Sequence, residues 1–345
     1  MISIGHRCLK KYESIYIIAE IGSNHDSNLS RAKNLIQLAK ECGADAAKFQ
    51  CFRAEDLIST EGFKKKMSFQ SKWKKSVWDT YLSAEMPREW HYELADFSKS
   101  QGIDFFTSPW DPNAVELLAE IKSPAIKIGS GDIDNYELLN LAAMTGKPIL
   151  LGTGASTLSD IEAAVNKIKA AGNDQIILMH SVVNYPSDIN QANIRALMAM
   201  ETSFGLPVGY SDHSVGDLVV ISSVSLGAVA VEKHFTDDNT RSGPDHLHSM
   251  TPPEFSEMIS KVRTLQKALG NGVKSVVNDE VETRILQRRS IFASKPIKKG
   301  ERITSHNTCL LRPAIGIPAS YLGLVIGKKA SSTIDQGQPF QWSDI

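Results

Sequence analysis

The chain has 345 residues, 42% of them apolar, and its 38 Lys and Arg nearly cancel its 39 Asp and Glu for a formal net charge of −1. That length exceeds the roughly 250–300 residues one core usually serves, which predicts a large domain with a small one, and the balanced charge argues against nucleic acid as a partner. The start "MISIGHRCLKKYES" lacks the apolar segment of a secretion signal, and the longest apolar stretch, "LVVISSVSLGAVAV" (218–231), is too short and too broken to cross a bilayer, so a cytoplasmic protein with no membrane partner is expected.

Short β-type runs then alternate with amphipathic stretches. The first run, "YIIAEIG" (16–22), leads into the helical pattern "LSRAKNLIQLAKECGA", and "AAKFQCF" (46–52) is the second run. A long interruption follows over 55–103, where "FKKKMSFQSKWKKSVWDTYLSAEMP" sets two tryptophans among many lysines, as a lid, an interface or an anchored solvated loop would. Next come "DFFTSPW" (104–110), "AIKIGS" (125–130) and "PILLGTG" (148–154), the last leading into "LSDIEAAVNKIKAAG" with Ser159 and Asp160 at its start and Gly172 just past its end. "IILMHSV" (176–182), "PVGYSDH" (207–213) and "AVAVEKHF" (228–235) bring the runs to eight, and "PPEFSEMISKVRTLQKALG" is the closing helix. Apolar strands joined by helices demand a parallel sheet covered on its faces, and eight such units close into a (β/α)8 TIM barrel. An open doubly wound sheet is the alternative, but the first turn, "EIGSNHDSN", lacks the glycine-rich phosphate pattern.

After a polar linker at about 270–290, "IKKGERIT", "LLRPAIGIP" and "LVIGKKASSTIDQGQPF" mix glycine, proline and short β runs. The expected division is 1–280 for the barrel and 281–345 for a small, turn-rich domain. Cys8, Cys42, Cys51 and Cys309 show no CxxC spacing and read as reduced thiols.

Barrel chemistry collects where strands leave the C-terminal face. The polar residues there are Glu20, Asn24 and His25; Lys48 and Gln50; Thr107, Ser108 and Trp110; Lys127, Ser130 and Asp132; Thr153; His180 and Ser181; Ser211, Asp212 and His213; and Glu232, Lys233 and His234. A lysine inside an apolar strand must find an anion or lose its charge. Lys48 and Lys127, with the Ser130 hydroxyl and the backbone amides of "GSGD", make a cradle for a phosphate or carboxylate; pairing with Glu20 and Asp132, or a Schiff-base role, are the other uses of these lysines. His213 and His234 end adjacent runs and can meet over one ion, leaving coordination positions for water and substrate oxygens. Asp245 in "SGPDHLHS" can join them, and His246 and His248 beside it serve equally well as ligands.

Taken in order, "IAEIGSNHDSN", "AAKFQ", "KIGSGD", "GTGAS", "YSDHSVG", "EKHFT" and "GPDH", then "IKKGERIT" and "RPAIGI", resemble the sialic acid synthase family of the N-acetylneuraminate synthase type, with its legionaminate and pseudaminate relatives. The resemblance spans about 15–345 and implies a TIM barrel joined to a C-terminal antifreeze-like SAF (β-clip) domain. It further implies condensation of phosphoenolpyruvate (PEP) with an N-acetylated hexosamine, N-acetylmannosamine or a 2,4-diacetamido-trideoxy-hexose, to give a nonulosonic acid and phosphate. By the same resemblance His213 and His234 hold a divalent metal, Mn²⁺ or Mg²⁺; Lys48, Ser108, Lys127, Ser130 and Ser211 bind PEP; and Glu20 is the catalytic carboxylate. Gln50, Tyr185, Asp245 and Arg312 face the acceptor sugar, Arg312 reaching the partner's barrel in a domain-swapped homodimer.

Four departures concern the acceptor pocket and its surroundings: Gly152 stands where many relatives have serine, Trp110 where a smaller aromatic is usual, Asp132 where glutamate is frequent, and "RPAIG" for "RPG". Two further readings stay open at this point. A class I aldolase would use Lys48 or Lys127 as a Schiff base and need no metal, and a non-catalytic carbohydrate-binding protein would leave PEP untouched.

Overall fold

The computed structural model describes residues 2–66, 70–71 and 73–345, and the chain divides into two compact units, Met1–Asn271 and Gly272–Ile345. The first unit opens with an antiparallel hairpin, β1 (Ser3–Ile4) and β2 (Arg7–Cys8). Among the described residues eight strands then form one parallel sheet: β3 (Tyr16–Gly22), β4 (Ala46–Cys51), β5 (Asp104–Pro109), β6 (Ile126–Ile128), β7 (Ile149–Gly152), β8 (Ile176–His180), β9 (Val208–Asp212) and β10 (Ala230–His234). The hydrogen-bonded order is β5-β4-β3-β10-β9-β8-β7-β6, and β5 lies beside β6, which brings the row round into a near-closed barrel. The expected TIM barrel is the observed fold.

A helix follows each strand, as parallel connections require. These are α1 (Leu29–Glu41) after β3 and, past the short α2 (Ala54–Leu57) and α3 (Val77–Ala84), α4 (Arg88–Gln101) before β5. Then come α5 (Pro112–Glu120), α6 (Tyr136–Met144), α7 (Leu158–Ala170), α8 (Ala196–Phe204), α9 (Leu218–Ser225) and α10 (Pro252–Leu269). Side chains satisfy the free amides at their starts: Asn28 accepts from the Arg31 amide at 2.9 Å, and Asp111 caps α5 just before Pro112. Helix α7 begins at Leu158, where its pattern begins, with Thr157 and Asp160 capping one another's backbone reciprocally.

The interruption at 55–103 is shorter than the sequence leads one to expect. Its last third, α4, is an ordinary barrel helix that buries His91, Leu94 and Ser98, so the true excess ends at Pro87. Residues 67–69 and 72 of that stretch lie outside the described residues.

Strand alternation decides what each side chain faces. Ile17, Ala19, Ala47, Phe49, Phe105, Ile126, Ile149, Leu178 and Val231 join the core between sheet and helices. Tyr16, Ile18, Ala46, Phe106, Ala125, Leu150, Ile177, Met179 and Ala230, one step out of phase, form a second cluster inside the barrel, sealed at its N-terminal end by Ile2, Ile4 and Leu9 from the hairpin. One further two-residue step along the inward files stand Glu20, Lys48, Ser108, Lys127 and Glu232, all buried.

The second unit contains α11 (Glu280–Gln287), the antiparallel pair β11 (Ser290–Ala293) and β12 (Thr308–Leu311), and α12 (Leu322–Val325). Its core is Ile291, Ala293, Ile297, Ile303, Ile317, Val325, Ala330, Ile334 and Phe340. Cys8, Cys42, Cys51 and Cys309 are free thiols, and no helix among the described residues is long and apolar enough to cross a membrane.

Candidate active site

The inward files end in a buried charge network. Lys48 Nζ lies 2.6 Å from Glu20 Oε2 and 3.7 Å from Glu232 Oε1, and Lys127 Nζ lies 3.7 Å from the same Glu232 oxygen. Around them the Lys48 ammonium donates to Ser108 Oγ at 3.3 Å, Ser211 Oγ donates to Glu232 at 2.9 Å, and Gln50 Nε2 donates to Glu20 Oε1 at 2.9 Å. Burial costs each ion several kcal/mol, so the arrangement persists through mutual pairing. Six of the candidate residues, Glu20, Lys48, Gln50, Ser108, Lys127 and Ser211, are thus brought together by contact.

The two lysines differ in kind. Burial works against the Lys48 charge, but Glu20 and Glu232 outweigh it and hold the ammonium above its ordinary value. Burial lowers Lys127, and the nearby Lys48 charge adds to the fall that Glu232 only partly offsets. Glu20 is pushed up to about 7, chiefly by burial and then by Glu232, against the pull of Lys48. For Glu232 burial also pushes upward, but Lys127 and Lys48 together bring the carboxyl below its usual range.

Glu232 had no role in the sequence reading. Its signal was present, since it stands two positions before His234 on one strand and therefore faces the same way. The pairing expected between the lysines and Asp132 is taken by this residue instead. Alternation also sorts the other strand-end polar residues. Lys233 and Asp212 pair at 2.6 Å on the outer face, Thr153 donates to the Met179 carbonyl, and His180 Nε2 donates to the Ala192 carbonyl at 3.2 Å, all away from the mouth.

Beside the charge network sits an imidazole cluster. Ligand atoms of His234, Asp245 and His248 all lie within 4.8 Å of one another. His234 Nδ1 and His248 Nε2 are buried without a hydrogen-bond partner among the described residues. Burial keeps both rings below their ordinary value and pushes His213 down to about 4, so the cluster is neutral and its lone pairs are available. His213 Nδ1 donates to the Val182 carbonyl at 2.9 Å, which fixes the tautomer with the Nε2 lone pair unprotonated, and its ring centre lies 5.5 Å from that of His234. Imidazoles with one carboxylate suit a divalent transition ion. His246 drops out, because Asp26 (2.9 Å) and Thr236 (2.8 Å) engage both its nitrogens; His248 is the loop histidine that joins the set.

Asp245 is held by the Ser23 amide at 3.1 Å and the Ser23 hydroxyl at 2.8 Å. Gly22 makes that approach possible: its φ is +53°, and a Cβ there would stand 2.7 Å from Asp245 Oδ2. Tyr185 packs its ring 4.3 Å from His213 and 5.4 Å from His248.

On the far side of the mouth Ser130 Oγ accepts from the Gly154 amide at 3.0 Å and lies 3.3 Å from Ser181 Oγ. Gly152 has no room for a side chain, since a Cβ would stand 2.7 Å from the Ser130 nitrogen. Arg312, the remaining candidate, belongs to the second unit, where it is exposed just past β12 and makes no side-chain hydrogen bond or ion pair among the described residues.

A model of the NeuB family matches residues 35–274, and one of the SAF domain matches 288–345. The N,N'-diacetyllegionaminic acid synthase of Campylobacter jejuni is 38% identical over 327 residues, covering 93% of this chain and 97% of the relative. That of Legionella pneumophila is 36% identical over 335 residues, covering 96% and 94%. Among solved structures, the N-acetylneuraminic acid synthetase of Leptospira borgpetersenii superposes with a TM-score of 0.73 at 32% identity, covering 82% of this chain and 94% of that one.

Proposed function

The chain belongs to the NeuB family and ends in a SAF domain, as its motifs implied, and from that premise we propose that it condenses PEP with an open-chain N-acetylated hexosamine to give a nonulosonic acid and phosphate. The observation that carries this reading is the pair of buried lysines sharing one carboxylate, Glu232, beside a set of neutral imidazoles. Two lysines converging on one point of the barrel mouth suit a small, doubly anionic substrate, and neutral imidazoles suit a metal.

Lys48 and Lys127 take the phosphate and carboxylate of PEP, with Ser108, Ser130 and Ser211 adding hydrogen bonds. Gln50, Tyr185 and Asp245 hold the acceptor so that its aldehyde carbon meets C3 of PEP. His213 and His234, with Asp245 and His248 at hand, would hold a divalent ion, Mn²⁺ or Mg²⁺, which would supply Lewis acidity toward the acceptor aldehyde. The enol π pair forms the C3–C bond, and Glu20 stabilises the positive charge left on C2. Water adds to C2, one of its protons going to the oxygen that the aldehyde carbonyl has become; the C–O bond to phosphate then breaks, the C2 hydroxyl losing its proton to the departing phosphate and leaving the ketone.

In this reading the enzyme works in the cytoplasm as a domain-swapped homodimer, Arg312 of the partner subunit completing the acceptor side. Phosphate release from PEP is to be measured across a panel of N-acetylated hexosamines, before and after chelation. Release with at least one sugar, abolished by EDTA and restored by Mn²⁺ or Mg²⁺, is expected; no release with any sugar sinks the reading. The lowered Lys127 amine also fits an imine-forming lysine, and borohydride with pyruvate tests that: a covalent adduct on Lys127 would favour the aldolase.

A further inference from the structure

Asp26 has no part in the reaction so far, yet the β3–α1 turn that carries it grips the loop after β10 at three places. Ser23 donates its amide and hydroxyl to Asp245, Asn24 Nδ2 donates to the Phe235 carbonyl at 3.0 Å and to Ser249 Oγ at 2.9 Å, and Asp26 Oδ1 accepts from His246 Nε2 at 2.9 Å. The other Asp26 oxygen lies 3.1 Å from Arg31 Nε, and the Arg31 guanidinium donates to both oxygens of Asp237 at 3.0 and 3.1 Å, so the Asp26 carboxylate is held on both sides. Asp26 and Ser27 both have positive φ, +48° and +52°, a conformation that costs non-glycine residues energy and persists only where the surroundings hold it.

Between these anchors the loop makes one turn of 3₁₀ helix, His246–His248. With about three residues per turn, successive side chains point roughly a third of a turn apart, so fixing one direction fixes the other two. His246 points to Asp26, with Thr236 Oγ1 2.8 Å from its other nitrogen; Leu247 is exposed; and His248 turns inward, its ring centre 4.6 Å from that of His234. His248 Nε2 is buried there and has no hydrogen-bond partner among the described residues.

We propose that His248 is a third imidazole ligand of the divalent ion and that Asp26, acting through His246, is the positioning residue that turns it inward. The inference rests on the synthase reading, which places the ion at His213 and His234 and requires only those two imidazoles of the chain. A buried imidazole nitrogen that no donor faces has lost its water without replacement, and an ion is the partner that restores the loss. Carboxylates commonly stand behind metal-binding histidines and fix their rings. Here the carboxylate fixes the neighbouring ring instead, and the tight turn passes the orientation on to the ligand two residues later.

The test reads metal binding rather than turnover, in the full chain stripped of metal and titrated with Mn²⁺. Asp26→Ala is expected to weaken Mn²⁺ binding by about 10–100-fold, while Asp26→Asn, which keeps an oxygen for His246, stays within about threefold of wild type. His248→Ala is expected to weaken it at least as much as Asp26→Ala does. Pulsed EPR on bound Mn²⁺, with isotope-labelled histidine, should count three coupled imidazoles in the wild type and two in His248→Ala. The double variant should bind no more weakly than His248→Ala alone, since Asp26 acts through that ring. Should Asp26→Ala not fold, Asp26→Ser, too short to reach His246, takes its place. Unchanged Mn²⁺ affinity in His248→Ala or in the Asp26 truncation, two imidazoles in the wild type, or losses that add in the double variant overturn the inference. None of these outcomes touches the synthase reading, which fails instead if Mn²⁺ binds as expected and no sugar of the panel draws phosphate from PEP.

Discussion

The lower and upper halves of the barrel interior are built by the same strands on the same face. On β3 Tyr16 and Ile18 are followed by Glu20, on β4 Ala46 by Lys48 and Gln50, on β5 Phe106 by Ser108, and on β10 Ala230 by Glu232 and His234. The lower half leaves water by being apolar and asks nothing specific of its neighbours. The upper half is as buried and charged, so Glu20, Lys48, Lys127 and Glu232 survive there only through one another. Stability and chemistry are thereby segregated along one axis, and damage to the two halves should look different.

The sharpest break is expected at the imidazoles. His213→Ala or His234→Ala should abolish phosphate release in a folded protein that still binds PEP, measured by calorimetry, and chelation should do the same reversibly; full activity in metal-free protein defeats the assignment. Glu20→Gln should lower kcat by about 10²–10³-fold with KM for PEP little changed. A kcat within about twofold of wild type would end the role given to Glu20. Ile18→Ala, one step down the same file, should do the reverse. It should cost about 2–5 kcal/mol in denaturant unfolding while the folded fraction keeps its kcat; a catalytic defect without instability would erase the division between the halves.

A titrating group outside the barrel interior sharpens the comparison. His91 on α4 is buried, donates Nδ1 to the Arg88 carbonyl, and leaves Nε2 without a partner among the described residues. Burial pushes its ring down to about 4 from 6.5, so between these values the unfolded chain binds more protons and stability falls as pH drops. The loss approaches about 3 kcal/mol by pH 4, and His91→Leu should flatten that part of the pH–stability curve; an unchanged slope refutes the assignment. The smallest effect tests the dimer. Mixing Arg312→Ala with His213→Ala chains under subunit exchange should restore roughly a quarter of sites if Arg312 acts on the partner's barrel, and none if it acts on its own.

Much of this division is legible in the residues themselves. The eight runs stand out as short apolar stretches between helical patterns, and a lysine within "AAKFQ" or "AIKIG" announces a site because no apolar strand tolerates it unpaired. What escapes is whatever alternation does not reach. The β1–β2 strands have two residues each, too few to show a period, yet they close the barrel. His246 and His248 sit in a loop where spacing fixes no direction, and only the Asp26 and Thr236 contacts tell them apart. Asp212 and Lys233 read as mouth residues until the parity of their strands is applied, which turns them outward to each other. Helix α4 hides behind its lysine- and tryptophan-rich approach, whose composition masks where the helical period resumes.

The hairpin that seals the interior with Ile2, Ile4 and Leu9 makes the barrel a well rather than a tunnel. The lysines lie buried below the open cleft lined by Gln50, Tyr185, His234 and Asp245, so among the described residues both substrates approach from the side where the strands end. The molecule bound deeper must enter first, and the larger one closes the way behind it. Departure runs in a queue too, with phosphate held until the sugar acid has cleared the opening. Initial-rate patterns should therefore be ordered, with the acceptor unable to hold its place productively until PEP is already below it.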